Sequence, residues 1–438
     1  MFYLNKNREL SKELLYKMIN KFNLEVLPKR QKYKNYYDGI QAILNKQYAD
    51  MDKPCNKTVI NYCANIANSY CGYIATPGFI SYRSDEDIEE VMDILRYNDF
   101  QTEDSALALD ALVFGVAHEL TYLEGSQTRF RLINPLTCFA IYDDSLTGDL
   151  MYFVRMYEAD EWDDSNLYFV DVYTNDKIQH YKMNGTNGYL EFLNEERHYF
   201  SQCPVTVLSM PDEKSIFDCI MNKQDSVNEL ISAEVDDYSE FCDAYLVLKG
   251  VDADAEDIAA MKKNRVLLIP PDATAEYLTK SANDTQVENI RKFLHDSIYR
   301  DAQCPDFSSE SFVGGVSSGI AIQYRLTGME TRAGIIEGLM KKALQRRIEL
   351  ICGIATLKLG ESVFRDINIS FKRNIPEDLT STINLVNSLK GSVSDATLLG
   401  QLPFVTDVNA ELEALQEQKT ANMSLYSFGA AADEEEEE

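Results

Sequence analysis

Gly315-Val316-Ser317-Ser318-Gly319 is the arrangement in this chain closest to a reactive site. GxSxG is the pattern of a nucleophile elbow, in which a sharp strand-to-helix turn exposes a serine hydroxyl beside oxyanion-binding N–H groups. The chemistry would be hydrolytic acyl transfer. It needs a strand before the serine and partners in the order Ser, then Asp or Glu, then His. The chain has 4 histidines, His118, His180, His198 and His295, and all of them precede Ser317. Without a downstream base the segment reads more simply as a flexible loop with helix-capping serines. His118-Glu119 opens like a zincin motif, but Tyr122 stands where the second histidine must be. Neither GxxxxGK[ST] nor GxGxxG occurs, so no nucleotide-phosphate loop is expected. The 9 cysteines form no CxxC pair, and the spacing of Cys55, Cys63 and Cys71 fits no zinc site. They read as buried free thiols of a reducing compartment. No cofactor or metal is expected.

Two charged stretches remain. Asp225, Glu229, Glu234, Asp236, Asp237, Glu240 and Asp243 crowd one helix. They converge with no histidine or loop, so a solvated acidic surface is favoured over a metal site. Lys341, Lys342, Arg346 and Arg347 form a small basic face, which either pairs with neighbouring carboxylates or meets DNA or another subunit.

The loop that carries Ser317 is set between two strong helices. It runs Pro305, Asp306, Phe307, Ser308, Ser309, Glu310, Ser311, Phe312, Val313, Gly314, Gly315, Val316, Ser317, Ser318, Gly319. Pro305 disfavours helix for the residue before it, so the first helix should end near Gln303. Loops of this length inside a compact chain are uncommon and usually functional. The second helix starts at Ile320 and has Ile336, Leu339, Met340, Ala343, Leu344, Ile348 and Ile351 at core spacing, with Gly328 as a candidate kink.

Upstream, residues 8–48 read as helical and polar. Asn56 to Tyr73 reads as a helix stopped by Gly72, and Phe79 to Tyr82 as a strand. Asp85 to Arg96 and Thr102 to Phe114 are two more helices. From Ala117 to Leu208 the apolar period changes to two. His118–Leu123, Arg129–Ile133, Phe139–Tyr142, Met151–Tyr157, Tyr168–Tyr173, Gln179–Met183 and Tyr189–Phe192 read as one antiparallel meander. Ser215 to Ala244 is helical. Tyr245–Leu248 and Arg265–Ile269 read as strands around a short helix at Ala255–Lys262, and Gln286–Asp301 as a helix. Ile367–Lys372 is a strand, followed by helices at Asp378–Leu389, Asp395–Leu399 (capped by Ser394) and Asn409–Gln418. The class is α+β, mostly helical with an antiparallel β-rich region.

The chain has 438 residues, more than one core usually serves, and 45% apolar residues, enough to fold. Lys and Arg number 42 against 71 Asp and Glu, a net charge of −29. So acidic a surface excludes a generic nucleic-acid binder, which needs a basic footprint. The start, Met1-Phe2-Tyr3-Leu4-Asn5-Lys6, lacks the apolar stretch of a signal peptide, and no run is apolar enough to span a bilayer. The tail from Ala430 to Glu438 is expected to be disordered by self-repulsion.

Taken in order, these residues resemble the portal proteins of tailed phages of the siphovirus type. Pro305-Asp306-Phe307, Gly314-Gly315 and Ser318-Gly319, followed by Ala321, Tyr324 and Leu326, look like the tunnel-loop segment of that family. Asn61-Tyr62 with Gly72-Tyr73 resembles its N-terminal helix and strand. Phe114-Gly115, Asn134-Pro135 and Ile141-Tyr142-Asp143-Asp144 resemble its small-residue, hairpin and Tyr-Asp stretch. Phe371-Lys372-Arg373-Asn374-Ile375-Pro376, Gly391 to Leu399 and Pro403 to Leu415 resemble its closing region. The resemblance implies a portal fold with an antiparallel β-rich wing, a helical stem, a small α/β clip, a long kinked helix and a helical crown. Its boundaries would be wing 1–222, stem helix 223–243, clip 244–284, stem helix 285–303, tunnel loop 304–318, long helix and wing strand 319–375, crown 376–425 and acidic tail 426–438. It further implies a non-enzymatic ring of about twelve copies at one capsid vertex of the virion, assembled in the host cytoplasm. Double-stranded DNA would pass through its channel. The terminase large subunit, a head-completion adaptor and the major capsid and scaffolding proteins would be its partners, with no membrane.

Overall fold

A computed structural model of the chain describes residues 1–47, 54–158, 167–185, 189–241, 246–249, 274–277, 284–309, 319–354, 365–374 and 379–400, with scattered positions as far as 418. It is a mixed α and β structure that divides into two compact units, Met1–Phe312 with Leu326–Asn374, and Val313–Arg325 with Ile375–Glu438.

In the first unit α1 (Lys12–Lys21) starts at Ser11, whose hydroxyl accepts from the Leu14 N–H. A π-helical turn at Phe22–Val26 leads into α2 (Leu27–Tyr37), where Pro28 sits in the first turn and withholds an N–H that is unpaired there anyway. Leu15, Met18, Ile19 and Phe22 press on one face of a six-stranded sheet, against Phe139, Ile141, Val154, Val170 and Met183. Its order is β1 (Phe2–Leu4), β5 (Cys138–Asp143), β6 (Leu150–Glu158), β7 (Leu167–Tyr173), β8 (Lys177–Asn184), β9 (Leu190–Arg197). All neighbours are antiparallel except β1, which pairs parallel with β5.

The expected single meander is therefore corrected. The hairpin β3 (Val116–Glu124) and β4 (Gln127–Ile133) leaves it and pairs through β3 with β10 (Val205–Ser209). The physical reason is two-sided burial. Phe153, Cys138, Ala140 and Tyr173, on the far face of the large sheet, need apolar cover and find it in Leu120 and Val205 of the smaller one.

Helix starts differ from the sequence reading for local reasons. α3 (Tyr62–Ile74) begins at Tyr62 rather than Asn56 and runs through Gly72. Asn61 is its cap, accepting from the Ala64 N–H, and the preceding residues are extended. α4 (Glu89–Tyr97) starts after side-chain turns in which Ser84 accepts from the Glu86 N–H and Asp87 from the Glu89 N–H. β2 (Ile80–Arg83) pairs with β13 (Asn368–Phe371). α5 (Phe100–Phe114) ends at Gly115, whose φ of 81° favours glycine. A Cβ there would also stand 2.4 Å from the Glu213 carbonyl carbon.

The extended segment ahead of α3 is held by α6 (Met221–Phe241). The N–H groups of Asn56, Thr58, Ile60 and Tyr62 donate in turn to Asp236 (2.6 Å), Ser232 (2.9 Å), Asn228 (2.9 Å) and Gln224 (3.0 Å). Four helical residues rise about 6 Å and two extended residues about 6.6 Å, so an i, i+4 row of side chains matches alternate strand N–H groups. Beyond α6, Leu246–Lys249 is strand β11, but its partner is β12 (Thr274–Tyr277). The expected strand at 265–269 and short helix at 255–262 lie outside the described residues.

Two long helices follow, α7 (Asp284–Ala302) and α8 (Gly319–Cys352). α8 is helical without interruption through Gly328. In the second unit α9 (Leu379–Leu389) and α10 (Asp395–Leu399) match the expected helices, and Ser394 accepts from the Thr397 N–H at the start of α10. Of the expected helix at 409–418, the described positions 411, 412, 414–416 and 418 are helical, and the acidic tail lies outside the described residues.

Candidate functional site

The base of the glycine-bearing loop is built by the end of α7. Gln303 takes a left-handed φ of 54°, the Cys304 N–H donates to the Tyr299 carbonyl at 3.0 Å, and the Gln303 N–H to that of Arg300 at 3.1 Å. These two bonds are a Schellman stop with glutamine in the place glycine usually takes. Further carbonyls at the end of the helix need donors too. The Tyr70 hydroxyl donates to Ala302 (3.0 Å) and Gln303 (3.1 Å), and Arg332 of α8 donates to Ala302 at 3.0 Å and to Ile216 at 2.9 Å. The loop thus leaves from a point tied to α3 and α8.

Pro305 follows, and Asp306 turns the chain. Its carboxylate accepts from the Ser308 N–H (3.0 Å) and hydroxyl (2.6 Å), and its carbonyl from the Ser309 hydroxyl (2.8 Å). The other carboxylate oxygen lies 3.4 Å from His295 Nε2. His295 packs on Tyr62 and Tyr299 with ring centroids 5.8 and 5.0 Å away, and the Asn65 amide donates to Tyr299. Burial, and then the Asp306 charge, pushes the Tyr62 and Tyr299 hydroxyls up, so both stay protonated. Phe307 is 42% exposed at the point where the loop departs. Glu310, Ser311, Phe312, Val313, Gly314, Gly315, Val316, Ser317 and Ser318 lie outside the described residues, and Gly319 begins α8.

The four basic residues of α8 do not share one exposed face. Lys342 is exposed, Lys341 donates to Asn368 at 3.2 Å, and Arg346 is half-buried against Gln202, Glu349 and the Cys203 carbonyl. Arg347 is wholly buried. It grips Glu119 of β3 with Nε (2.8 Å) and Nη2 (2.6 Å), bonds Asp104 of α5 through Nη1, and covers the Phe130 ring. The Tyr82 hydroxyl donates to Asp104 at 2.8 Å. Burial pushes Glu119 up and Arg347 pulls it back. The acidic helix is also divided. Asp225 accepts from the Tyr36 hydroxyl and Asp236 holds Lys46 and Asn56, while Glu229 and Asp237 are exposed.

Sequence reasoning passed over Tyr62, Tyr70, His295, Tyr299 and Arg332. Tyr62 and Tyr70 read only as helix residues, and nothing local says that they serve a loop more than two hundred residues away.

The chain thus sets a loop with a fixed base between two long helices and joins them to β layers. Comparison with protein families makes the class specific: the model for phage portal protein, SPP1 Gp6-like, matches residues 17–424, and the chain belongs to that family. The family is structural and non-enzymatic, so the GxSxG pattern is not a hydrolase site. Its members form a ring oligomer in the capsid that passes DNA. No curated protein matches the chain. No helix among the described residues is long and apolar enough to cross a membrane.

Proposed function

We propose that this chain is the subunit of the channel at one capsid vertex. Double-stranded DNA is packaged through it by the terminase motor and later ejected, and it joins head to tail. The observation that carries this reading is the family match across 17–424. The ring holds about twelve copies, following closed cyclic symmetry. Residues 1–222 with 319–375 make the wing, 223–243 and 285–303 the stem, 244–284 the clip, 304–318 the tunnel loop, and 376–425 the crown. The clip meets the terminase large subunit and then the head-completion adaptor, and major capsid and scaffolding proteins are further partners. The ring is assembled in the host cytoplasm.

The charge supports a conduit. Duplex DNA carries one charge per about 1.7 Å, and a chain of net −29 repels it. Screening within about 8 Å keeps that repulsion short-ranged, so the duplex slides without sticking. Phe307 and Phe312 touch DNA transiently or pack the loop, while Gly314 and Gly315 let it move on its fixed base. Negative-stain microscopy of the purified chain tests the reading: rings with a central hole are expected, and a compact monomer that stays monomeric with capsid and scaffolding proteins present overturns it. For the loop, Gly314→Pro with Gly315→Pro should leave rings intact and block DNA packaging. Normal packaging by that variant would refute the role given to the glycines.

A further inference from the structure

A closed ring of identical subunits needs two different faces on each copy, because each contact joins one patch to another, unlike patch. The sequence charge is uneven in a way that supplies one of them. Residues 1–47 hold 10 Lys and Arg against 4 Asp and Glu, a net +6 inside a chain of net −29. Along α1, the π-helical turn and α2, exposed positions recur every third or fourth residue through Lys17, Lys21, Leu24, Pro28 and Lys32, interrupted by Glu25. Leu24 is 79% exposed in the middle of this stripe. Among the described residues, Lys17, Lys21 and Lys32 meet no carboxylate, although Lys21 and Lys32 lie over the rings of Phe2 and Tyr36.

The opposite character belongs to β9. It is the last strand of the six-stranded sheet, and among the described residues no strand pairs with its outer edge. All its residues after Leu190 are exposed. Tyr189, just before it, is 95% exposed, and Phe192 and Leu193 are 39% and 42% exposed. Glu191, Glu195 and Glu196 face solvent, and their partners among the described residues lie on the neighbouring strand: Lys182 for Glu191, Lys177 and Gln179 for Glu195, and His180 for Glu196. Exposed pairs of that kind hold weakly and are readily exchanged. Three carboxylates on an open edge oppose pairing of β9 with another β9, which would in any case give a two-fold dimer and not a ring.

We propose that the β9 edge of one subunit docks on the α1–α2 lysine stripe of the next, with Leu24 against Tyr189 and Phe192 and the three lysines facing the three glutamates. This rests on the ring reading above and says which surfaces close it.

Two full-length variants test it: Lys17→Glu/Lys21→Glu/Lys32→Glu, and Glu191→Lys/Glu195→Lys/Glu196→Lys. Each is first checked for a wild-type thermal melt. Alone, each presents the same sign on both faces and should lose self-association in sedimentation velocity at physiological salt. Mixed, they are complementary and should associate again, into alternating rings or, where rings do not close, into pairs. Self-association of either folded variant at the wild-type level overturns the interface, and so does a mixture that stays monomeric. Normal rings with weakened retention of a DNA duplex by the lysine variant would assign the stripe to phosphate instead. A wild-type chain that forms no assembly while the mixed variants do pair would count against the ring reading and not against this contact.

Discussion

Arg347 and the inward face of α6 both carry hydrogen-bonding groups into the interior of the first unit, one with charge and the other almost without it. Around Arg347 one guanidinium meets Glu119 and Asp104, all three with no more than 1% side-chain exposure, and three elements converge on a point. Along α6, Gln224, Asn228 and Ser232 are fully buried and Asp236 nearly so, and they meet backbone N–H groups in a line. The contrast follows from what each must hold. A planar cation with five fixed donors can orient two carboxylates at once. A row of short neutral side chains can follow an extended backbone, because its repeat fits and each amide or hydroxyl costs little to bury once paired. Convergence calls for charge, and alignment calls for spacing.

The comparison is broken most forcefully at Arg347. Arg347→Met removes the only cation of the buried group and leaves Glu119 and Asp104 uncompensated, so a loss of about 3–5 kcal/mol is expected from urea unfolding. Changing Glu119 to Gln and Asp104 to Asn in the same chain should recover part of it, since neutral groups are cheaper to bury than unpaired charges. A loss below about 1 kcal/mol for Arg347→Met would mean that water reaches the group.

Asn228→Leu should do less. It strands the Ile60 N–H and the Gln41 side-chain carbonyl, at a cost of about 1–3 kcal/mol. The effect should be local, with amide exchange rising across residues 56–62 and unchanged in β3. If exchange rises equally in β3, α6 and the extended segment do not behave as a separate unit, and the contrast with Arg347 fails.

These two networks also mark where the sequence was readable. Alternation of apolar residues located β5 to β8 to within one or two positions, because a buried sheet face repeats every second residue. The pairing of β3 with β10 was not visible, since β10 is short and its partner is far along the chain. Pro305 announced the end of α7, but the donors that cap it, Tyr70 and Arg332, are ordinary helix residues until the fold brings them there. Arg347 was grouped with Lys341, Lys342 and Arg346 by spacing, and spacing cannot tell a guanidinium facing water from one facing Glu119. The α6 row left a usable signal. Gln224, Asn228, Ser232 and Asp236 fall at strict i, i+4 spacing, and the helix's other polar groups could have covered a solvated face without them.

The smallest effect expected is at Asp110 of α5, and it separates paired from unpaired burial. Asp110 is half-buried, and burial pushes its carboxyl up to about 6 while Lys34 pulls it back. Its folded value lies above the unfolded one, so its contribution is favourable below about pH 4 and is lost as pH rises through about 6. Asp110→Asn should then stabilise the chain at pH 8, by about 1 kcal/mol once solvent screening at this half-buried site has reduced the roughly 3 kcal/mol that a rise to about 6 represents, and by nothing near pH 4. His118 works in the opposite sense. Full burial, with the Arg30 charge, holds it neutral far below its ordinary range, so its stability is present above about pH 6.5 and lost as pH falls. In the wild type the two slopes oppose each other between about pH 4 and 6.5. The asparagine variant removes one of them, so its stability should fall more steeply with acid than that of the wild type, and the two curves should converge near pH 4. Parallel curves would show that Asp110 is hydrated and that burial without a partner costs this fold nothing at that position.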